Sequence, residues 1–157
     1  MRTDFYVVDG QKIIFDAAFR PLLDKFKWAV NKREHTYYAR TCVYVSGKTR
    51  NIAMHRLLMG LKAKDVDHIN GNGLDNRMEN LRWCSQAQNC WNARKRKDST
   101  RPFKGIYFKD NGWHARIRSG GKEIHLGSFR KPELAARAYD SAARRLRGKF
   151  AKTNFVD

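Results

Sequence analysis

The chain has 157 residues, enough for one ordinary domain or two small ones, and carries 33 lysines and arginines against 15 aspartates and glutamates, a formal net charge of +18. The basic excess is spread over the whole length and is greatest in the last third, which favours a polyanionic partner. Since no apolar run approaches the roughly 18 residues of a membrane-spanning helix, and no signal-peptide pattern opens the sequence, nucleic acid is favoured over a membrane surface.

Residues 1–60 predict short strands, two of them joined in a β-hairpin at Asp9-Gly10, and at least one short helix. Asp9-Gly10 and Ser46-Gly47 are turn dipeptides that separate runs rich in β-branched and aromatic side chains. A helix is expected over residues 54–61, with Leu61 among the leucines that it turns inward. The predicted strands are residues 5–8, 12–15, 37–45 and 49–53.

Residues 62–97 predict the order strand, loop, strand, helix. Asp67 and His68 lie at the end of the first strand, and residues 81–84 form the second. Ser85, with Gln88 three positions later, forms a capping box, so a helix is expected to begin there and to carry Asn89 in its first turn. The segment is therefore predicted to be a β-β-α unit folded around one polar centre.

Four side chains of this unit have the chemistry that phosphodiester hydrolysis requires. Asp67 can supply a carboxylate and Asn89 a side-chain carbonyl to one Mg²⁺-like ion, whose other ligands would be water and substrate phosphate. His68 is suited to act as a general base that takes a proton from the attacking water. Asn80 is predicted to brace the loop so that His68 stays oriented. Taken singly, each of these residues is also an ordinary turn residue.

Nearby charged residues leave alternatives open. Asp65 and Asp75 could be further metal ligands, although solvated loop charges are the default expectation. His55 could support the site or simply pack within its helix. The basic run at residues 94–97 either ends the helix as a solvated terminus or follows DNA phosphates as a linker. The candidate DNA contacts in this part of the chain are Arg77, Arg82, Arg94 and Arg96.

The segment VDHINGNGLDNRMENLRW resembles the core of the HNH endonucleases, in the phage and intron homing type, where Asp-His, a central Asn and a terminal Asn replace the His-Asn-His signature. With the IAMHRLLMGL lead-in, the resemblance covers roughly residues 1–97. It implies a ββα-metal finger that nicks or cuts DNA with one divalent cation. It also implies Asp67 and Asn89 as the metal ligands, His68 as the base and Asn80 as the loop brace.

The polar stretch DSTRPF predicts a linker at residues 98–102 and a separate domain over residues 103–157. Three strands are expected there, separated by Asp-Asn-Gly and Ser-Gly-Gly turns. A helix is expected to begin at Pro132 and to end at Gly148. Its apolar stripe is predicted to comprise Leu134, Ala138, Ala142 and Leu146, widened by Ala135 and Tyr139. The predicted strands are residues 105–109, 113–118 and 123–129.

The motifs KGIYF, WHARIR, LGSF and AARAYDSAARRLRG, the last followed by TNF, resemble the Apetala-two/ethylene-response-factor DNA-binding domain. The resemblance implies that the three-stranded antiparallel sheet, and not the helix, lies in the DNA major groove. Along the middle strand Arg116 and Arg118 alternate with apolar residues, so one face is basic. Core packing for Trp113 and a solvated face for the arginines are the alternatives, and His125 departs from a basic third strand. The implied DNA-binding residues are Lys104, Tyr107, Lys109, Trp113, Arg116 and Arg118.

The expected fold class is therefore α+β: an HNH nuclease domain over residues 1–97, with its ββα-metal core at about 62–97, followed by a three-stranded antiparallel sheet with one helix. The leading hypothesis is a site-specific, homing-type endonuclease that nicks double-stranded DNA as a monomer rather than a homodimer, with one Mg²⁺ or Mn²⁺ per active site. Three cysteines without a CxxC pair indicate a reducing, cytoplasmic setting, and a structural zinc site is not expected.

The alternative is a non-catalytic, sequence-specific DNA-binding protein that retains the nuclease fold only as a scaffold. In that case the loss of Asp67, His68 or Asn89 would be expected, and all three are present. The endonuclease hypothesis also suggests the product of a phage or mobile element that acts in its host cell.

Overall fold

The computed structural model describes residues 2–33, 36–62, 64–93, 95 and 99–156. Within these residues the chain forms ten β-strands in four small antiparallel sheets, with four α-helices between them. The predicted α+β class is therefore confirmed. By internal contacts the chain divides into two compact units, Met1–Asn89 (unit 1) and Cys90–Asp157 (unit 2). No helix among the described residues has the length and the apolar character that crossing a bilayer requires.

Unit 1 opens with a hairpin of β1, Thr3–Val8, and β2, Gln11–Asp16. Its turn residues Asp9 and Gly10 have φ values of 50° and 70°, the positive values that a tight two-residue hairpin turn requires. The predicted hairpin is confirmed. A short helix, α1 (Arg20–Leu23), follows it.

The second sheet of unit 1 has the order β3-β4-β5, formed by Ala29–Lys32, Tyr37–Val45 and Lys48–Ala53. Strands β4 and β5 confirm the two strands predicted on either side of Ser46-Gly47, whereas β3 was not predicted. Helix α2 covers only Met54–Leu58, and the prediction that Leu61 points inward is wrong, since its side chain is 50% exposed. Gly60 and Leu61 have φ values of 84° and 52°, so a left-handed turn ends the helix before Leu61 can reach the core.

The core of unit 1 also anchors the polar loop over residues 69–80. Ile13, Phe15, Leu23 and Met54 are fully buried and pack with Ala39 and with Leu74 from the loop. Ile14 of β2 donates a backbone hydrogen bond to the Leu74 oxygen at 2.8 Å and accepts one from the Asn76 nitrogen at 2.7 Å. The loop is thereby fixed to β2 at the point where it approaches the candidate site.

Unit 2 consists of the predicted three strands and one long helix. The strands β8 (Ile106–Lys109), β9 (Gly112–Ser119) and β10 (Lys122–Phe129) form a sheet in the order β10-β9-β8. Helix α4, Pro132–Arg147, begins at the predicted proline and is followed by Gly148.

The buried face of α4 differs from the predicted leucine stripe. Leu134 and Leu146 are exposed, so their assignment to the core was wrong. The physical reason is close packing: small alanines let the helix lie near the sheet, and the Tyr139 ring sits so close to Gly105 that a Cβ there would lie 1.9 Å from it. The residues that α4 buries are Ala135, Ala136, Tyr139, Asp140, Ala142 and Ala143.

Candidate active site and nucleic-acid interface

A third, two-stranded sheet carries the candidate active site of unit 1. Strand β6, Asp65–His68, pairs antiparallel with β7, Leu81–Cys84, so that Asp67 lies opposite Arg82 and His68 opposite Leu81. Asp67 and His68 are the last two residues of β6, as predicted, and each is only 5% exposed. Consecutive strand residues point to opposite faces, so the carboxylate and the imidazole leave the strand in different directions.

The carboxylate of Asp67 is paired with its cross-strand neighbour. Arg82 donates to Oδ2 of Asp67 from Nε at 2.9 Å and from a terminal nitrogen at 2.6 Å. The Arg82 side chain is only 11% exposed, which makes this a largely buried ion pair. A contact from Arg82 to a DNA phosphate, as the sequence predicted, would require this pair to open.

His68 lies in a cluster of rings and amides that the sequence does not predict. The His55 ring meets it edge-on, with the ring centroids 4.8 Å apart, and Tyr38 contacts both histidines at 5.6–5.8 Å. Nε2 of His68 lies 3.5 Å from Oδ1 of Asn76, whose side chain is 0% exposed. Burial lowers the pKa of His68 more than the Asn76 contact raises it, and burial lowers the pKa of His55 to about 3.

Asn80 ties together the loop between β6 and β7. Its Nδ2 donates to the Asp75 backbone oxygen at 2.8 Å and to Oδ1 of Asn70 at 3.1 Å, while its Oδ1 accepts from the Asn70 backbone nitrogen at 3.0 Å. The Asn80 backbone oxygen accepts from Ile69 at 2.9 Å. These bonds join the residues just after His68 to the end of the loop, and the role of Asn80 in orienting His68 stays a prediction.

Asp75 and Arg77 form a second anchor in the same loop. Arg77 donates to both carboxylate oxygens of Asp75 at 2.8 Å and pairs with Glu79 at 2.6 Å. Arg77 is thereby the main cause of a lowered pKa at Asp75. Asp75 is buried, so the expectation of a solvated loop charge is wrong: the guanidinium and Nδ2 of Asn70 satisfy it inside the loop.

Helix α3, Gln86–Asn92, follows β7 and begins with the predicted capping box. The Ser85 nitrogen donates to the Gln88 side chain at 2.8 Å and the Gln88 nitrogen to the Ser85 hydroxyl at 3.2 Å. Asn89 is the fourth helical residue and is exposed. Its role as a metal ligand with Asp67 stays a prediction. Of the basic run after α3, Arg94 and Arg96 lie outside the described residues.

Asp67 and Asn89 carry oxygen donors of the kind that a hard divalent cation binds. Asp67 supplies a carboxylate and Asn89 an amide oxygen, which are the ligand types that Mg²⁺ and Mn²⁺ bind. In the part of the chain that the structure describes, no three His, Cys, Asp or Glu side chains are grouped to hold a metal ion. A cation at Asp67 would therefore have few protein ligands and would take the remainder from water and phosphate.

The outer face of the unit 2 sheet carries most of the predicted DNA contacts. On β9, Ala115 and Ile117 are buried, and Arg116 and Arg118 lie on the opposite face. The Arg116 guanidinium donates to both carboxylate oxygens of Glu123 at 3.0 Å and lies 4.8 Å from the centre of the Tyr107 ring. Lys109 is exposed at the end of β8. These side chains form a partly paired basic surface.

Two further residues predicted to contact DNA, Trp113 and Lys104, make contacts within unit 2. Trp113 shares the face of Ala115, packs against the apolar cluster under the sheet, and contacts Phe108 with ring centroids 5.1 Å apart. The Lys104 ammonium donates to the backbone oxygens of Trp91 at 2.8 Å and Ala93 at 2.6 Å, and burial lowers its pKa to about 8. For either side chain to contact DNA, these interactions would have to be given up.

Comparison with known proteins separates two similarities along the chain. Residues 62–90 match the model of the HNH endonuclease family. Protein 3.8 of Escherichia phage T7 is 32% identical over 89 residues, which cover 55% of this chain and 73% of that protein. An uncharacterized HNH endonuclease of Acanthamoeba polyphaga mimivirus is 28% identical over 145 residues, covering 87% of this chain and 71% of its own length.

The second similarity is to plant transcription factors. An ethylene-responsive transcription factor of Arabidopsis thaliana is 52% identical over 67 residues, 41% of this chain and 26% of that protein, and another is 50% identical over 60 residues, 36% of this chain and 33% of that protein. The chain thus spans about a quarter to a third of the length of these relatives. Together with the phage and viral relatives, these matches show that the chain belongs to the HNH endonuclease family and carries an AP2/ERF-like domain in addition to its nuclease segment.

Proposed function

We propose that the protein is a site-specific, divalent-metal-dependent endonuclease that nicks double-stranded DNA. The observation that carries this proposal is the buried Asp67–His68 pair at the end of β6, beside a loop braced by Asn80, within the segment that matches the HNH endonuclease family. The order β6, β7, α3 supports the assignment of this segment as a ββα-metal finger.

In this proposal His68 takes the proton of the attacking water. Because burial lowers its pKa, the imidazole is uncharged at neutral pH, and only the uncharged form can accept a proton. Asn80 keeps the backbone after His68 in place through its bonds to Asn70 and Asp75. Asp67 and Asn89 would hold the cation, which, when bound, supplies charge neutralisation on the phosphate and on the leaving oxygen.

The AP2/ERF-like sheet is proposed to direct the nuclease to its DNA site. Its support is the outer face of β9, where Arg116 and Arg118 project away from the buried Ala115 and Ile117, together with the resemblance to domains that place such a sheet in the major groove. The division of labour is therefore a nuclease domain over residues 1–97 and a targeting domain over residues 103–157.

The proposal extends to the oligomeric state and the origin of the protein. A single candidate centre within the described residues supports a monomer that nicks one strand at a time. The phage T7 relative supports an origin in a phage or homing element that acts on DNA in its host cell.

A plasmid-nicking assay tests the catalytic part. We expect open-circular product with Mg²⁺ or Mn²⁺ and none with EDTA. His68→Ala should abolish nicking while binding of the same DNA is retained, and Glu79→Gln, which removes an exposed charge of the same loop region, is the matched control. Product that persists in EDTA, or equal nicking by His68→Ala, would contradict the assignment.

A binding assay tests the targeting part. Arg118→Ala should weaken binding to all DNA sequences and lower the salt slope by about one unit if the side chain meets only phosphate. A contact to a base would instead change the preferred sequence at one position. An unchanged affinity at every salt concentration would remove Arg118 from the interface.

One observation favours a second candidate, a DNA-binding protein without catalysis. The buried Arg82–Asp67 pair already neutralises the carboxylate that a divalent cation would need. This candidate predicts specific DNA binding with no nicking under any of the metal conditions above.

A further inference from the structure

Two orphaned polar atoms lie around the candidate base. In the part of the chain that the structure describes, three buried side-chain nitrogens have no hydrogen-bond partner, namely His55 Nδ1, Asn76 Nδ2 and Arg147 Nε. The first two belong to residues that touch His68. Because leaving a buried polar atom unsatisfied destabilises a fold, Asn76 and His55 lie beside His68 at a cost in stability.

Asn76 is held beside His68 by the core of unit 1. Its backbone nitrogen donates to the Ile14 oxygen at 2.7 Å, and Ile14 lies between Ile13 and Phe15, both of them fully buried in the core of unit 1. The Asn76 side chain is itself 0% exposed. Its amide is therefore enclosed by the fold, and its Oδ1 lies 3.5 Å from Nε2 of His68.

We infer that Asn76 is a positioning residue that sets the tautomer of His68, and that His55 and Tyr38 hold the plane of the His68 ring. This inference rests on the proposed function, because it specifies which nitrogen of the base does the work. A neutral imidazole carries its proton on one nitrogen and its lone pair on the other. An acceptor at Nε2 selects the form protonated there, so Nδ1 keeps the lone pair with which His68 takes a proton from water.

The His55 ring can pack against His68 without adding a charge, because its imidazole stays neutral. Its ring stands at 79° to that of His68, and the Tyr38 ring contacts both histidine rings. With a pKa of about 3, His55 carries no charge at neutral pH and so does not repel a proton arriving on its neighbour. The arrangement thus fixes the direction of His68 without making it a weaker base through a second positive charge.

The direct test is a long-range proton–nitrogen NMR correlation spectrum of the full chain labelled at its five histidines, recorded without metal at neutral pH. His68→Gln assigns the signal. We expect His68 to carry its proton on Nε2, and Asn76→Leu, which keeps the bulk and removes the acceptor, to redistribute the proton between the two nitrogens. Asn72→Ala, in the same loop, is the matched control and should leave the signal unchanged.

A proton on Nδ1 in the unaltered protein, or a tautomer that Asn76→Leu does not change, would overturn the inference. In the nicking assay we expect Asn76→Leu to lower kcat by about 10- to 100-fold, the usual effect of removing a group that orients a functional side chain, with KM unchanged. His55→Phe, which keeps a ring, should retain more activity than His55→Ala. If the protein nicks no DNA, the proposed function fails, while the NMR result still decides the tautomer.

Discussion

Replacing Arg82 with methionine tests how the protein manages the carboxylate at the centre of the candidate site. Arg82 donates two hydrogen bonds to Asp67, and both side chains are largely buried, with exposures of 11% and 6%. Methionine fills much of the same volume but cannot donate. The variant therefore keeps a charged group in a buried position and removes its guanidinium.

The expected loss of stability is large. Removing one partner of a buried ion pair destabilises a protein by about 3–5 kcal/mol, against a total of about 5–15 kcal/mol for a typical domain. For a unit of this size, each kcal/mol lowers the melting temperature by about 4–8 °C. We expect the melting temperature of Arg82→Met in EDTA to fall by about 12–40 °C.

The assay is thermal unfolding with and without divalent cation. Because a bound cation would restore a positive charge next to Asp67, Mn²⁺ or Mg²⁺ should stabilise Arg82→Met more than the unaltered protein. The double variant Asp67→Asn/Arg82→Met removes both charges, so it should be more stable than Arg82→Met and should respond less to the cation. The reasoning is refuted if Arg82→Met melts with the unaltered protein in EDTA, or if the double variant gains as much from Mn²⁺.

Three further predictions concern single residues. The pKa of His55 is about 3 in the folded protein, so between pH 6.5 and 3 the unfolded chain binds one more proton and acid destabilises the fold. In urea titrations, His55→Phe should reduce the fall in unfolding free energy by up to about 1.4 kcal/mol per pH unit. Parallel curves for the two proteins would contradict this. Burial raises the pKa of Cys84 to about 11, so alkylation at pH 8, followed by mass spectrometry, should modify Cys84 at least about tenfold more slowly than the exposed Cys42. Gly105→Ala should destabilise unit 2 by about 3 kcal/mol or more, because its φ is +79° and a Cβ there would lie 1.9 Å from a buried tyrosine ring. Gly120→Ala has open space around the new Cβ and should cost only about 1–2 kcal/mol for its positive φ. Equal losses of stability in denaturant unfolding would refute the clash at Gly105.

Local chemistry explains which parts of the fold could be predicted from the sequence. The turn at Asp9-Gly10 needs two residues that tolerate positive φ, and the Ser85–Gln88 cap needs two side chains three positions apart, so both can be recognised from neighbouring residues alone. The buried face of α4 could not be predicted in this way, because leucine is more hydrophobic than alanine and yet Leu134 is exposed. What decides burial there is the short distance between helix and sheet, which only small residues permit.

The candidate site divides in the same way. Asp67, His68 and Asn80 follow from spacing within one loop and its strands. The surroundings of His68 do not, because His55 and Tyr38 come from elements far along the chain and meet it only through the packing of unit 1. Asn76 lies in the same loop but reaches His68 because β2 holds it there, and that contact has no signature in the sequence.

The ion pairs also decide which part of the net charge is available to DNA. Arg77, Arg82 and Arg116 each donate to a carboxylate. If such an arginine turns to a phosphate, the carboxylate left behind takes up a cation, which offsets the counterion released from DNA. The salt slope of binding should therefore follow exposed cations such as Arg118.

The pair of Arg116 with Glu123 is better suited to a base pair, because its guanidinium can donate to guanine and its carboxylate can accept from cytosine. Sequence preference is thus expected to depend on Glu123 as much as on Arg116.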